Sequence, residues 1–312
     1  MTKKTGSAGS SSTGGRATTG SSGTPGTVAA WAEDPAQVLR VDSRFSLAAV
    51  DPSGTPGLES RSHGGKEAGR ALLEKGRLEL STLQEQLWAE SRFGATRSVL
   101  LVLQAMDTAG KGGIVTHVVG GVDPQGVTVF GFTKPTETEL AHDFLWRVRR
   151  RLPEPGFLGV FDRSHYEDVL IARVRDFVTR EVITERYQLI NDFEAELVSS
   201  GTTIVKVMLH ISPGEQKERL SERLGRPEKH WKFNASDLDE RALWPSYQSA
   251  YQAALTSTST ADAPWFVVPA DRKWYARVAV QHLLLDAMRG LRLQWPPADF
   301  DVASEKARLA IG

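Results

Sequence analysis

Residues 98–103 (Ser-Val-Leu-Leu-Val-Leu) restrict the fold more than any other segment, because they are almost wholly apolar and lead directly into a glycine-rich loop. Runs that are apolar on both faces are typical of central strands in a parallel sheet, which is covered on both sides. The loop, residues 104–113, reads Gln-Ala-Met-Asp-Thr-Ala-Gly-Lys-Gly-Gly. The sequence therefore predicts a buried strand, a glycine-rich turn and a helix that begins near Gly112.

The same alternation of apolar runs and helical periodicity continues along the chain. Further strands are predicted at residues 127–130, 157–161, 203–209 and 265–268. Helices are predicted at residues 66–92, 136–151, 180–200 and 276–291, the second with a capping box and the third with a glycine stop. Strands that alternate with helices of this length indicate an α/β fold, with a parallel sheet flanked by helices.

Composition divides the chain into a core and its extensions. Gly, Ser and Thr make up two thirds of residues 1–30, and such a segment buries too little apolar surface to offset its ordering entropy, so a disordered tail is predicted. Residues 31–65 form an N-terminal extension that we expect to pack loosely. Residues 66–296 form the domain itself, and residues 297–312 form a C-terminal tail.

Charge and cysteine content exclude several classes of protein. Lys plus Arg and Asp plus Glu number 38 each, so no bulk attraction to nucleic acid or to an acidic membrane is expected. There are no cysteines, which excludes disulfides and thiolate catalysis. No run approaches the roughly 18 apolar residues of a membrane span, and no apolar stretch follows the first residues as in a secretory signal. These features favour a cytoplasmic protein that binds neither nucleic acid nor membrane.

The glycine-rich loop has the composition of a phosphate-binding loop. Backbone N–H groups in such loops converge on phosphate oxygens, a lysine adds a point charge, and the following helix adds its positive end. The predicted phosphate-binding residues are Ala109, Gly110, Lys111, Gly112 and Gly113. The generic pattern is G-x-x-x-x-G-K-[ST], and this loop has Ala105 at the first position and Gly112 at the last. A plain glycine-rich turn is the alternative interpretation.

Two carboxylates are candidates for metal binding. Because Gly112 offers no hydroxyl to a metal, Asp107 inside the loop is predicted to bind Mg²⁺ in its place. Asp162 ends an apolar strand, as in a Walker-B motif, and Arg163 beside it could bind a phosphate. Asp162 could instead cap a helix, and Glu167 could either bind the nucleotide or pair with an arginine.

A cationic segment after the fourth strand is predicted to form a helical lid at about residues 213–245. Its basic residues are Arg219, Arg223, Arg226, Lys229 and Lys232, the first three spaced to share one helix face. A lid of this kind would close cations over phosphates and exclude water. A solvated helix with internal salt bridges is the alternative.

Two further cations, outside the loop and the lid, are predicted to bind substrate phosphates. Arg147 lies in a basic cluster and is predicted to face the phosphate of an acceptor. Lys66 is predicted to extend the row of cations that a linear polyanion needs along a groove.

Four segments, in the right order, resemble the second family of polyphosphate kinases. They are residues 104–111 (Gln-Ala-Met-Asp-Thr-Ala-Gly-Lys), 161–170 (Phe-Asp-Arg-Ser-His-Tyr-Glu-Asp-Val-Leu), 227–233 (Pro-Glu-Lys-His-Trp-Lys-Phe) and 263–275, which includes Ala-Pro-Trp-Phe-Val-Val-Pro-Ala-Asp and Lys-Trp-Tyr. The likeness runs from about residue 66 to about residue 296.

This resemblance implies a P-loop kinase-like three-layer fold with a helical lid, and a homo-oligomer. It implies transfer of the terminal phosphoryl group of inorganic polyphosphate to a nucleoside mono- or diphosphate, dependent on Mg²⁺ or Mn²⁺. The residues implied in catalysis are Asp107, Lys111, Asp162 and Arg163, with Asp107 and Asp162 as metal ligands. Arg223, Lys229 and Lys232 are implied in phosphate binding.

Alternatives remain open at this point. An ATP-dependent nucleotide or nucleoside kinase could use the same fold, and a non-enzymatic nucleotide-binding or polyphosphate-binding regulator is a third interpretation. Within the resembled subgroup an Asp usually follows the loop lysine, and here Gly112 and Gly113 follow it. The choice between AMP and ADP as acceptor therefore stays open.

Overall fold

A five-stranded parallel sheet forms the centre of the molecule, with strand order β2-β3-β1-β4-β5. The computed structural model describes residues 31–58 and 65–311, and the tail predicted at residues 1–30 lies outside them. The strands are β1 (Ser98–Ala105), β2 (Val127–Gly131), β3 (Leu158–Asp162), β4 (Thr202–His210) and β5 (Trp265–Pro269). All five predicted strands are confirmed, with bounds that differ by one or two residues.

Helices cover both faces of this sheet. Among the described residues they are α1 (Pro35–Val38), α2 (Gly65–Ser91), α3 (Lys111–His117), α4 (Glu137–Leu140), α5 (Trp146–Arg149), α6 (Ile171–Val174), α7 (Arg180–Ser199), α8 (Pro213–Leu224), α9 (Ser236–Ala242), α10 (Trp244–Thr258), α11 (Lys273–Gly290) and α12 (Val302–Leu309). The predicted α/β fold is confirmed. None of these helices is both long and apolar enough to cross a membrane.

Strand register places the loop beside the other strand ends. Every residue of β1 is buried, as its apolar run predicted. Leu103 pairs with Asp162 of β3, and Ala105 pairs with Leu209 of β4. Because parallel strands all end at one edge, this register brings residues 105–113, 162–168 and 210–213 together, at the edge where α/β proteins bind ligands.

The helix predicted at residues 136–151 is wrong. Thr136 does form the expected capping box with Glu139, but α4 ends after one turn. The Asp143 carboxylate then accepts the backbone N–H of Leu145 at 3.0 Å, which offers the chain a turn in place of a helical hydrogen bond. The helix resumes only at α5, so the segment bends between Leu140 and Trp146.

The expectation that the N-terminal extension packs loosely is also wrong. Leu39, Val41 and Leu47 are each at least 95% buried and belong to the main hydrophobic core. The backbone N–H of Val41 donates to Trp265 O at 2.9 Å, and Val267 donates to Leu39 O at 2.9 Å. The extension thus adds a short antiparallel bridge to the outer edge of β5 and protects that edge.

Replacing Leu47 tests the contribution of this extension to stability. We expect Leu47→Ala to lower the free energy of unfolding by about 2–5 kcal/mol, the range for a leucine deleted from a packed core. Urea denaturation measures the change. Leu78→Ala on α2, where the side chain is 64% exposed, is the matched control and should change stability by less than about 0.5 kcal/mol. Equal effects of the two variants would contradict the packing described.

Candidate active site

The loop after β1 turns tightly before α3 begins. Gly110 adopts φ 119°, a conformation that favours glycine, and is the N-cap residue of α3. Lys111 is the first residue of that helix, and its buried side chain folds back so that Nζ donates to Ala105 O at 3.2 Å. Thr108 also has a positive φ, of 64°. The plain-turn interpretation does not account for a buried lysine amine held inside the loop.

Arg219 of α8 fixes the loop in place. One guanidinium nitrogen donates to Thr108 O at 3.0 Å and to Ala109 O at 2.9 Å. The other donates to Ala270 O at 2.7 Å and to Asp271 O at 2.9 Å, beyond the end of β5. The side chain is only 6% exposed and pairs with the neighbouring carboxylate of Glu215. Arg219 is therefore committed to holding the loop.

A cleft of about 300 Å³ lies between the loop, α8 and α11. Its basic lining residues are Arg219, Arg223, Arg226, Lys229, Lys232, Lys273 and Arg277. Glu222 is the single acidic residue among those that line it. Ala109, Gly110 and Gly113, which the sequence predicts to bind phosphate, line the cleft on the loop side. The cleft is thus strongly cationic in a chain whose net charge is zero.

The three arginines predicted to share a helix face reach the cleft in a different way. Helix α8 ends at Leu224, and Gly225 follows it, so Arg226 belongs to the 3₁₀ helix Pro227–Lys232 as its N-cap. Arg223 stays on α8, where it donates to Lys232 O at 3.1 Å and contacts Asp237 of α9 at 3.4 Å. The single-face prediction is wrong in detail, although all three arginines line one cleft.

Carboxylates and one arginine meet next to the loop. Arg163 Nη2 lies 3.0 Å from Asp107 Oδ1, with the two side chains 41% and 24% exposed. Burial alone would lower the pKa of Arg163, but the carboxylates of Glu167, Asp107 and Asp162 raise it overall. Asp162 is the last residue of β3, and Ser164 caps the turn that follows, so the interpretation of Asp162 as a helix cap is wrong.

Glu167 lies deeper in the same cluster. Burial raises the pKa of this carboxyl above its usual value, and the charges of Arg163 and Lys111 partly offset that rise. In the amide orientation that satisfies both ends, Gln104 donates to Glu167 Oε1 at 3.0 Å and accepts the Ser164 N–H at 3.1 Å. Glu167 therefore binds Gln104 in the neighbourhood of the Arg163 and Lys111 charges, and it does not line the cleft.

The donor set at this edge fits a magnesium ion. Within residues 31–58 and 65–311, no cluster of three or more His, Asp or Glu side chains is arranged to hold a metal by itself. The carboxylates of Asp107 and Asp162 nonetheless both lie close enough to the Arg163 guanidinium for their charges to raise its pKa. Mg²⁺ is commonly bound by one or two carboxylates together with substrate phosphates and water, and carboxylates of this kind lie at this edge.

Eight of the fourteen predicted site residues do not line the cleft: Lys66, Asp107, Lys111, Gly112, Arg147, Asp162, Arg163 and Glu167. Arg147 is buried, donates to Thr133 O at 2.9 Å, and sits over the ring of Phe132, so its guanidinium is already committed. Lys66 lines an adjoining groove along α2 and α11, which shares Lys273 and Arg277 with the cleft. Gly112 does not line the cleft, and nothing lies within 4 Å of where its Cβ would be.

Sequence reasoning missed three residues that shape the site. Lys273 and Arg277 lie four residues apart in the first turns of α11, and this spacing directly after a strand was a signal that could have identified them. Burial lowers the pKa of Arg277. Asp237 of α9 approaches Arg223, and burial and nearby Asp107 raise the pKa of its carboxyl. No local pattern marked Asp237.

Known proteins resemble the chain over most of its length. The profile of polyphosphate kinase 2 matches residues 64–294. The AMP/ADP-polyphosphate phosphotransferase of Meiothermus ruber is 48% identical over 268 residues, 86% of this chain and 97% of that protein. The ADP-polyphosphate phosphotransferase of Rhodopseudomonas palustris is 46% identical over 229 residues, 70% of this chain and 78% of that protein.

A solved structure agrees with the fold as well. The crystal structure of polyphosphate kinase 2 from Arthrobacter aurescens TC1 superposes with a TM-score of 0.88 at 56% identity, covering 91% of this chain and 99% of that one. The phosphate loop, the strand-end aspartate and the cationic segment all lie within the matched region. This chain therefore belongs to the polyphosphate kinase 2 family.

Proposed function

We propose that this protein transfers the terminal phosphoryl group of inorganic polyphosphate to a nucleoside mono- or diphosphate. The observation that carries the proposal is the cleft beside the phosphate loop, whose lining holds six cationic side chains besides Arg219 and a single carboxylate. A linear polyanion needs a row of cations to bind it, whereas a single nucleoside triphosphate needs only a few cationic side chains. The groove that contains Lys66 and Arg70 continues this row beyond the cleft.

The chemistry needs little beyond positioning and charge neutralisation. A terminal phosphate oxygen of the acceptor attacks the last phosphorus of the polyphosphate, one P–O bond forms, and the anhydride bond to the rest of the chain breaks. The acceptor oxygen is already ionised, so no general base is required. Because one phosphoanhydride replaces another, we expect the reaction to be nearly thermoneutral and reversible. Catalysis then depends on holding the phosphates in line and neutralising their charge.

Roles for individual residues follow from their positions. We propose that Lys111 and the N–H groups of the loop hold the transferring phosphate, and that Arg163 neutralises charge on it. Arg223, Lys229 and Lys232 would bind the donor chain from the lid side. Asp107 and Asp162 would hold Mg²⁺, or Mn²⁺ in its place, which supplies further charge neutralisation between the phosphates.

The names of relatives support both acceptors. The Meiothermus ruber protein is named for AMP and ADP, and the Rhodopseudomonas palustris protein for ADP.

Residues 213–245 would act as the lid, since α8 and α9 carry Arg223 and its partner Asp237 over the loop. We further propose, on family likeness, a homo-oligomer, which light scattering would measure.

Chromatography of nucleotides tests the function directly. Purified protein is mixed with Mg²⁺ and long-chain polyphosphate, and either AMP or ADP is added. We expect ADP and ATP to form with polyphosphate as the only donor. In a parallel reaction ATP replaces polyphosphate, with a nucleoside or dTMP as acceptor. Product in that reaction alone would overturn the proposed donor and support an ATP-dependent kinase, and binding without product in any reaction would support a regulator.

Removing the loop lysine should abolish most turnover. We expect Lys111→Ala to reduce kcat by about 100-fold or more, because a preorganised charge on the transferring group is lost. The circular dichroism spectrum should be unchanged. Lys306→Ala on the exposed helix α12 is the control and should keep full activity. Turnover at the wild-type rate in Lys111→Ala would mean that the phosphate loop is assigned wrongly.

The magnesium requirement tests the loop carboxylate. We expect Asp107→Asn to raise the Mg²⁺ concentration for half-maximal rate by at least about tenfold, and to lower the maximal rate. Magnesium titrations of initial rate measure both quantities. Asp123→Asn changes a carboxylate that only caps a distant 3₁₀ turn and should leave the titration unchanged. An unaltered titration in Asp107→Asn would place the metal elsewhere.

The one acidic residue of the cleft should weaken donor binding. Glu222 pairs with Arg226 at 2.7 Å and approaches Lys273 at 3.9 Å, so it competes with polyphosphate for both cations. We expect Glu222→Gln to lower KM for polyphosphate by about two- to fivefold, the scale of exposed ion pairs. Glu228→Gln removes another Arg226 partner, one outside the cleft lining, and serves as control. A raised KM in Glu222→Gln would contradict the placement of the donor.

A further inference from the structure

A charged pair is buried in the core on the far side of β4. Lys206, in the middle of that strand, is 0% exposed, and its amine donates to Glu194 Oε2 at 2.5 Å, Thr258 O at 2.7 Å and Tyr166 Oη at 3.0 Å. An ammonium group has three hydrogens to donate. All three are used here, and none of the partners belongs to the cleft described above.

Glu194 of α7 completes the network from the opposite side. It is 1% exposed, and its Oε1 accepts the Tyr166 hydroxyl at 2.8 Å and lies 3.3 Å from His165 Nε2. Burial works to raise the pKa of Glu194, but Lys206 and His165 outweigh it and hold that pKa below the usual value. Burial in turn lowers the pKa of the Lys206 amine, although the charge of Glu194 opposes that change.

Stability does not explain why this pair exists. Two charges taken out of water lose solvation that their attraction scarcely recovers, and apolar replacements of similar volume are often as stable or more stable. A network of this kind is retained more readily where it fixes one conformation of its neighbours. Both charges bind Tyr166, and Glu194 also contacts His165, in the 3₁₀ turn His165–Asp168.

That turn directly follows the two strand-end residues of the site. Arg163 has φ 64°, an unfavourable conformation for a residue with a side chain, and such strain persists only where the surroundings impose it. On one side its backbone N–H donates to Leu103 O at 3.0 Å. On the other side the chain passes through Ser164 into Tyr166, which is fully buried and is held by Lys206 and Glu194. The network thus anchors one end of the strained segment.

We infer that Lys206 and Glu194 are positioning residues, which act through Tyr166 and His165 to hold Arg163 against Asp107. The inference rests on the proposed function, in which Arg163 neutralises charge on the transferring phosphate. Loss of the network lets the segment 163–168 relax toward an unstrained backbone. The guanidinium then moves out of line with the phosphate loop while the cleft that binds both substrates is kept.

Kinetics of core variants separate positioning from stability. The variants are Tyr166→Phe, which removes the hydroxyl that joins both charges, and Lys206→Met/Glu194→Leu, which replaces the pair by apolar side chains. We expect Tyr166→Phe to unfold at a temperature close to that of the wild type, because Lys206 and Glu194 stay paired with each other. Both variants should lose about 10- to 100-fold in kcat, the scale of a small misplacement of catalytic groups, with KM for each substrate within about twofold.

The matched control is Glu196→Gln, two residues further along α7, which breaks an exposed ion pair with Arg149. It should leave kcat, KM and melting temperature unchanged. A double variant that is as stable as the wild type and turns over at the wild-type rate would overturn the inference. So would a Tyr166→Phe variant whose kcat and melting temperature fall together, as a merely structural role requires.

A crystal structure of the double variant distinguishes failure of the inference from failure of the function. We expect the distance between Arg163 Nη2 and Asp107 Oδ1 to exceed hydrogen-bonding range, from 3.0 Å in the intact protein. If wild-type protein fails to use polyphosphate but this contact is lost, positioning stands and the proposed function falls. If the contact is kept, the positioning role is wrong whatever the substrate.

Discussion

The site depends on one buried guanidinium that binds carbonyl oxygens from two distant parts of the chain. Arg219 joins Thr108 and Ala109 in the phosphate loop to Ala270 and Asp271 beyond β5. These four hydrogen bonds restrain the loop against α8 and the end of β5. Helix α8, which carries Arg219, is therefore both a wall of the cleft and the support of its floor. A ligand that enters the cleft meets preorganised groups, which lowers the cost of binding.

The structure explains one of the two departures from the generic loop pattern, the alanine at position 105. Ala105 stands where glycine is usual, and what the structure uses there is its carbonyl oxygen, which accepts the Lys111 amine. A methyl group at this buried position does not hinder that contact. At Gly112 nothing lies within 4 Å of the place that a Cβ would occupy, so packing does not impose glycine there. Asp107, paired with Arg163, supplies an oxygen at the same edge.

Local signals explain which features could be predicted from the sequence. Buried parallel strands are marked by short apolar runs. These runs were sufficient to predict all five strands and the edge of the sheet that carries Asp162. Arg219, Lys206 and Glu194 could not be assigned in this way, because their partners lie tens of residues away along the chain. The break at Asp143 was missed because a side chain that bonds to its own backbone overrides helical periodicity. The buried extension was missed since its few apolar residues show no period.

The proposed function depends on binding of the polyphosphate chain in the cationic cleft above the loop. A crystal structure of the Lys111→Ala variant grown with medium-chain polyphosphate and Mg²⁺ tests this binding. We expect a continuous phosphate chain between the loop and α11, within hydrogen-bonding distance of Arg223, Lys232 and Arg277. A chain bound elsewhere on the surface, with the cleft free of phosphate, would contradict it.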